Sequence, residues 1–181
     1  MSTTADEYLE AERRGIELEY TALKNEMLKR IEMRQQIIAV TLAFAGAFLG
    51  VGLKIAHLAL IYPPLAALMA LGWAQNDFRV GTAARYIREH LESSMPGLRY
   101  ETRVQMERAE SKGLGAWLFV VLSHGGIFMV TQIMAVVIHI LVFPFNTLVW
   151  ILLGVDGLSL LVVAYLMFLS LRQWRQTKKP Q

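Results

Sequence analysis

The sequence predicts an all-α polytopic membrane protein: four transmembrane helices in two hairpins, with a small cytosolic helical bundle. Three observations predict it. Hydrophobic residues make up 55% of the chain and charged residues 18%, against about 45–50% and about 25% in soluble domains, and mean hydropathy is +0.39. The apolar residues are bunched into two long blocks rather than spread with a regular period. Lys and Arg avoid those blocks: six precede residue 37, seven lie between Gln75 and Lys112, and four follow Leu171, which is seventeen of eighteen. By the positive-inside rule all three basic stretches face the cytoplasm, and so do both termini.

Composition also excludes. With no cysteine, disulfides, thiolate nucleophiles and thiolate metal sites are ruled out. The polar, acidic start from Met1 to Glu12 lacks the basic and apolar regions of a signal peptide, so membrane entry is expected to use the internal apolar segments. The sequence pI near 9.3 reads as cations flanking membrane spans rather than a nucleic-acid surface, and no nucleic-acid partner is expected. The sequence contains no Gly-rich phosphate loop, HExxH or GxSxG, so no cofactor, metal or conventional catalytic site is expected.

Residues 1–36 form the first unit, a cytosolic amphipathic helix. Ile16, Tyr20, Leu23 and Met27 alternate steps of four and three, a short heptad seam. Arg30 and Arg34 occupy its next positions, which makes it too short for a coiled coil. The seam packs on the protein's own cytosolic part or on a second copy.

Residues 37–74 form the first hairpin. Ile37 to Leu53 is uncharged, and seventeen residues at about 1.5 Å each reach about 26 Å, near the minimum for a span. Ala39, Ala43, Gly46, Ala47 and Gly50 line one stripe; Gly46 and Gly50 make a GxxxG pair that lets helix backbones approach closely in lipid. The expected use is packing against another span of the same chain, with a subunit contact second. Lys54 and His57 mark the turn. Pro63 and Pro64 are placed in the first turns of the second span, where a missing N–H costs least, and Trp73 suits its headgroup end.

Residues 75–113 are the charged cytosolic segment. Asn76 and Asp77 are expected to cap its first helix, on which Val80, Ala84, Ile87 and Leu91 share a face. The Ser93–Gly97 stretch breaks that helix, and a second runs from Leu98 towards the third span. Residues 114–171 form the second hairpin, turning at Phe143 to Asn146. Residues 172–181 are a basic cytosolic tail.

Residues 61–92, IYPPLAALMALGWAQNDFRVGTAARYIREHLE, with QQIIAVTLAFAGAFLGVGL before them, resemble an uncharacterised family of small bacterial multi-span inner-membrane proteins. The resemblance covers about the first half of the chain and implies a bacterial inner-membrane location, without an activity or site residues. The plan of a few spans with a small cytosolic part also resembles predicted pore-forming effectors of antiphage systems.

Candidate functional residues lie chiefly inside the second hairpin. Asp156 falls about mid-span, where a carboxylate costs about 2.5 kcal/mol or more. Gly154 and Gly157 flank it, and Thr131 and Gln132 are expected at its level. It reads as a protonated or hydrogen-bonded structural Asp, as a polar line or cation site at the centre of an oligomer, or as a proton relay. His124 is also placed near mid-bilayer, with Tyr165 across the hairpin, and reads as a bonded core histidine or as a group titrating near neutral pH. His57 and His139 are placed at the outer boundary without a role. Arg85 and His90 form R-x4-H, which resembles the active-site motif of HEPN ribonucleases; that would imply Arg85 holding phosphate and His90 moving protons across a dimer. A solvated helix face is the competing reading.

The expectation is therefore a non-enzymatic, oligomeric membrane effector or channel-like module, using Gly46, Gly50, Ala43 and Ala47 to pack and controlled by its cytosolic helices. A membrane-anchored adaptor recruiting a cytosolic partner through the N-terminal helix and the charged middle is the alternative, and a weak HEPN-like ribonuclease the third.

Overall fold

The computed structural model describes residues 3–55, 57–95, 97–110 and 125–176. Among these the chain is helical with no strand. Helix α1 is Thr3–Gly52. Helix α2 is Leu58–Tyr86, and its rod continues through a π-helical turn, Ile87–Leu91, to Glu92–Ser94. Helix α3 is Tyr100–Glu110, α4 is Ile127–Val142 and α5 is Thr147–Gln176. Among the described residues three stretches are long and apolar enough to cross a membrane: Asp6–Gly52, Leu58–Ser94 and Thr147–Ser170. Helix α4 is apolar but has 16 residues. The third predicted span began at Leu114, so its first part, with His124, lies outside the described residues.

Helix α2 is the hub: α1, α4 and α5 all pack on it. Its composition suits the task. Ala59, Ala66, Ala67 and Ala70 are buried along it, and small side chains let several neighbours come close at once. Pro63 and Pro64 are its sixth and seventh residues. That is past the first four N–H groups, which a helix leaves unpaired anyway. The carbonyls of Ala59 and Leu60 therefore lose their usual donors, a higher cost than the sequence position suggested. The turn before α2 depends on Gly52, where a Cβ would stand 2.7 Å from that of Ala59.

The heptad seam of α1 does not stop at Arg30. Ile16, Tyr20, Leu23 and Met27 pack with Val80, Ala83, Ala84, Ile87 and Leu91 of the α2 rod. Arg30 donates to Asn76 Oδ1 at 3.4 Å, and Arg34 ion-pairs with Asp77. Thr41, Ala45 and Leu49 then carry the buried face onward. The two arginines keep the seam's phase because α2 offers polar partners opposite them. That phase turns Ala43, Gly46, Ala47 and Gly50 outward, all exposed, with open space around both glycines. The expected intrachain use of this stripe is corrected accordingly.

Among the described residues two layers of core lie in the apolar half of the molecule. One holds Ala45, Leu49, Tyr62, Ala66 and Ala135. The other, nearer the polar half, holds Ala67, Ala70, Trp73, Phe128 and Val163, with the Trp73 and Phe128 rings tilted at 6.4 Å.

The break after Ser94 is made by Met95 in extended conformation and Gly97 at φ +98°. Helix α3 folds back from it and is held by two carboxylates. Glu92 accepts from the backbone N–H of Glu101 at 2.6 Å and of Thr102 at 3.0 Å, so it caps α3 across the break. Glu101 pairs with Lys24 of α1, whose ammonium also lies 4.3 Å from the Tyr100 ring centre. At the other turn, Asn146 Oδ1 accepts from Val149 N at 2.9 Å and starts α5.

Candidate functional site: a polar core inside an apolar bundle

The buried stripe of α5 is Val149, Asp156, Ser159, Val163, Met167 and Ser170. Its spacing is close to a heptad, so polar residues on it face α2 and α4 rather than the surroundings. On α4 the buried positions are Phe128, Thr131, Gln132, Ala135 and His139. The two helices form an antiparallel hairpin about the 143–146 turn, which puts Gln132 and Asp156 at similar depth. Asp156 is 1% exposed and Gln132 0%. Neither Asp156 oxygen has a hydrogen-bond partner, nor does either polar atom of the Gln132 amide.

Around them other polar groups are satisfied. Tyr62 donates to Thr131 Oγ1 at 2.7 Å, and Thr131 in turn donates its own hydroxyl to the Ile127 carbonyl at 2.8 Å. Ser159 donates to the Val155 carbonyl at 2.9 Å. Towards the hairpin turns the His57 and His139 rings stack at 6.4 Å, and His139 is fully buried. His139 keeps the depth expected of it, near the hairpin turn, and its burial is what the sequence did not show. It falls on the inward face of α4, seven residues after Gln132.

Among the described residues two groupings lie between this polar core and the polar half. First comes the apolar layer of Trp73, Phe128 and Val163. Beyond it Asp77 joins three helices: one oxygen pairs with Arg34 of α1, and the other accepts from Ser170 of α5 at 3.0 Å. The Arg34 guanidinium also lies 5.6 Å from the Trp73 ring centre. Asn76 donates to the Gly72 carbonyl at 3.0 Å. Both residues sit in mid-helix, because α2 runs on without interruption, so the expected capping role is corrected.

The remaining candidates are scattered. Tyr165 is 61% exposed and points away from the bundle. His124 lies outside the described residues. Gly154 and Gly157 have open space around them, on the outward side of α5. Arg85 and His90 are both exposed on the α2 rod; the His90 ring stacks on Tyr86 at 4.7 Å, and Tyr86 donates to Glu19 at 2.8 Å. Among the described residues no group of three His, Asp or Glu is placed to hold a metal ion.

Sequence reasoning missed Gly52, Ser159, Ser170 and the Arg34–Asp77 pair. Ser159 was legible in principle, since it follows Asp156 by three residues and so shares its face. The Arg34–Asp77 pair joins residues 43 apart in sequence, which no local pattern reveals. Comparison with protein-family models, with characterised proteins and with solved structures returns no match.

Proposed function

We propose that this chain is a four-span inner-membrane protein, both termini cytoplasmic, working as an oligomeric channel-like or effector module under the control of its polar half. In this reading α4 belongs to the third of the four spans, and the chain's own polar core is the working part. One observation carries it: Asp156 and Gln132 are sealed inside an apolar bundle without partners. A carboxylate in that position costs about 2.5 kcal/mol or more in a bilayer, and a protein serving only as an anchor gains nothing from it. Control is supported by continuity. Helices α1 and α2 are unbroken rods that begin or end in the polar half, so a partner or ligand acting there moves both walls of the core. The outward stripe of Ala43, Gly46, Ala47 and Gly50 supports self-association, since no described residue of the same copy packs closely on its glycines.

Induced expression with dye uptake or single-channel recording tests the reading, with Asp156→Leu as the comparison. Leakage that disappears in Asp156→Leu supports it; leakage of equal size in the variant, or none at any expression level, overturns it. The adaptor reading is favoured by the exposed Tyr100 and Met106 on α3. It is the conclusion if no current appears while the whole chain retains a cytosolic protein that a version lacking 1–36 does not.

A further inference from the structure

Helix α5 has an outer face that the bundle does not use. Leu158, Leu161, Tyr165 and Phe168 alternate steps of three and four, so they stand in one column, and each is 59–68% exposed. The next position of the column is Arg172, also exposed. Arg172 makes no hydrogen bond or ion pair among the described residues. It comes two residues after Ser170, whose hydroxyl meets Asp77, and those two residues turn it about 200° away from the junction. The apolar stretch of α5 ends at Ser170, so this cation stands about 3 Å beyond that end. From Leu161 to Arg172 the column rises about 16 Å at about 1.5 Å per residue. That is half of a hydrocarbon core about 30 Å thick, one leaflet's share.

We infer that this column seats an anionic glycerophospholipid of the leaflet on the polar side, with its acyl chain along Leu161, Tyr165 and Phe168 and its phosphate on Arg172. Such a seat rests on the membrane setting proposed above but not on the channel. The chemistry of its two ends selects the occupant. A guanidinium presents paired N–H donors to phosphate oxygens, and a cation beside a membrane span attracts anionic lipid. A second copy does not fit this face. Copies in one membrane run parallel, so a symmetric contact along the column would set Arg172 against its own counterpart. Helix contacts in lipid also favour small residues, and this column carries large ones, unlike the exposed Ala43, Gly46, Ala47 and Gly50 of α1. Arg79 stands at the same height on α2, two residues after Asp77, and is also exposed without a partner among the described residues. It is the natural control, an equal charge at equal height on another helix.

The test uses the full chain in phosphatidylcholine liposomes carrying a trace of photoreactive lipid. That lipid has a diazirine on its acyl chain and either a phosphatidylglycerol or a phosphatidylcholine headgroup. Peptide mass analysis reads the label on residues 158–172. Phosphatidylglycerol should label that stretch about fivefold more than phosphatidylcholine, the ratio expected of one arginine near a membrane surface. The ratio should fall to about one in Arg172→Gln and stay about fivefold in Arg79→Gln. Equal labelling by the two lipids in the unaltered chain, or a ratio that survives Arg172→Gln, overturns the lipid seat. A ratio lost equally in Arg79→Gln overturns its assignment to α5, because general surface charge then accounts for it. Cross-links between copies at Tyr165 in place of lipid label overturn it in favour of a subunit contact. Flotation of the same liposomes reads the membrane setting separately. Chain that does not float sinks that setting, whereas floating chain labelled equally by both lipids sinks the lipid seat alone.

Discussion

The polar and apolar halves treat buried charge in opposite ways. In the polar half Glu101 meets Lys24, Asp77 meets Arg34 and Ser170, and Glu92 meets two backbone N–H groups. Each carboxylate there ties together elements that would otherwise separate. In the apolar half Asp156 and Gln132 tie nothing together. Unpaired polar groups in a dry interior are destabilising, so the contrast separates carboxylates that join elements from one that the fold leaves unpaired.

The sharpest way to break this contrast is at the two aspartates. Asp77→Leu strands Arg34 and Ser170 at the three-helix junction. Breaking a buried pair costs about 3–5 kcal/mol; with about a fifth of each side chain exposed, a loss nearer about 3 kcal/mol is expected after allowing for solvent screening. Thermal unfolding in detergent, read by size-exclusion fluorescence, measures it. Asp156→Leu should move the same readout the other way, a gain of about 2 kcal/mol from removing an unpaired buried carboxylate. Destabilisation there would mean Asp156 is structural after all.

Gly52 and Gly46 sharpen the comparison within one helix. Gly52→Ala puts a methyl against Ala59 and should cost about 1–3 kcal/mol by overpacking. Glu92→Ala removes the α3 cap and should cost about 1 kcal/mol, with faster amide exchange confined to 100–104. Gly46→Ala, in open space, should stay within about 0.5 kcal/mol for the monomer. Gly46→Leu should then reduce cross-linked dimers in membranes if the outward stripe joins copies, and leave them unchanged if it faces only lipid.

The seam of α1 shows how legibility fails. Ile16, Tyr20, Leu23 and Met27 were readable as a stripe, and so were Val80, Ala84, Ile87 and Leu91. Arg30 and Arg34 looked like its end, because a heptad read alone scores a charge as a break. Opposite Asn76 and Asp77 they are its continuation. Losing the phase at that point cost the orientation of the next six turns, so the outward glycine stripe was read as inward. Tyr165 went astray for a similar reason: depth along a helix follows from counting, but facing direction does not.

Chain order alone determined the helical class, the apolar blocks, the turns and the presence of a carboxylate deep within one block. These depend on composition, on periodicity and on Gly, Pro and Asn at breaks, all properties of neighbouring residues. Only tertiary structure decided that α2 is the hub, that Gly52 rather than Gly46 is pressed against a neighbour, and that Asp77 is partnered while Asp156 is not. The reason is geometric: a partner is whatever another helix brings opposite, and that is set by the packing phase of the whole bundle.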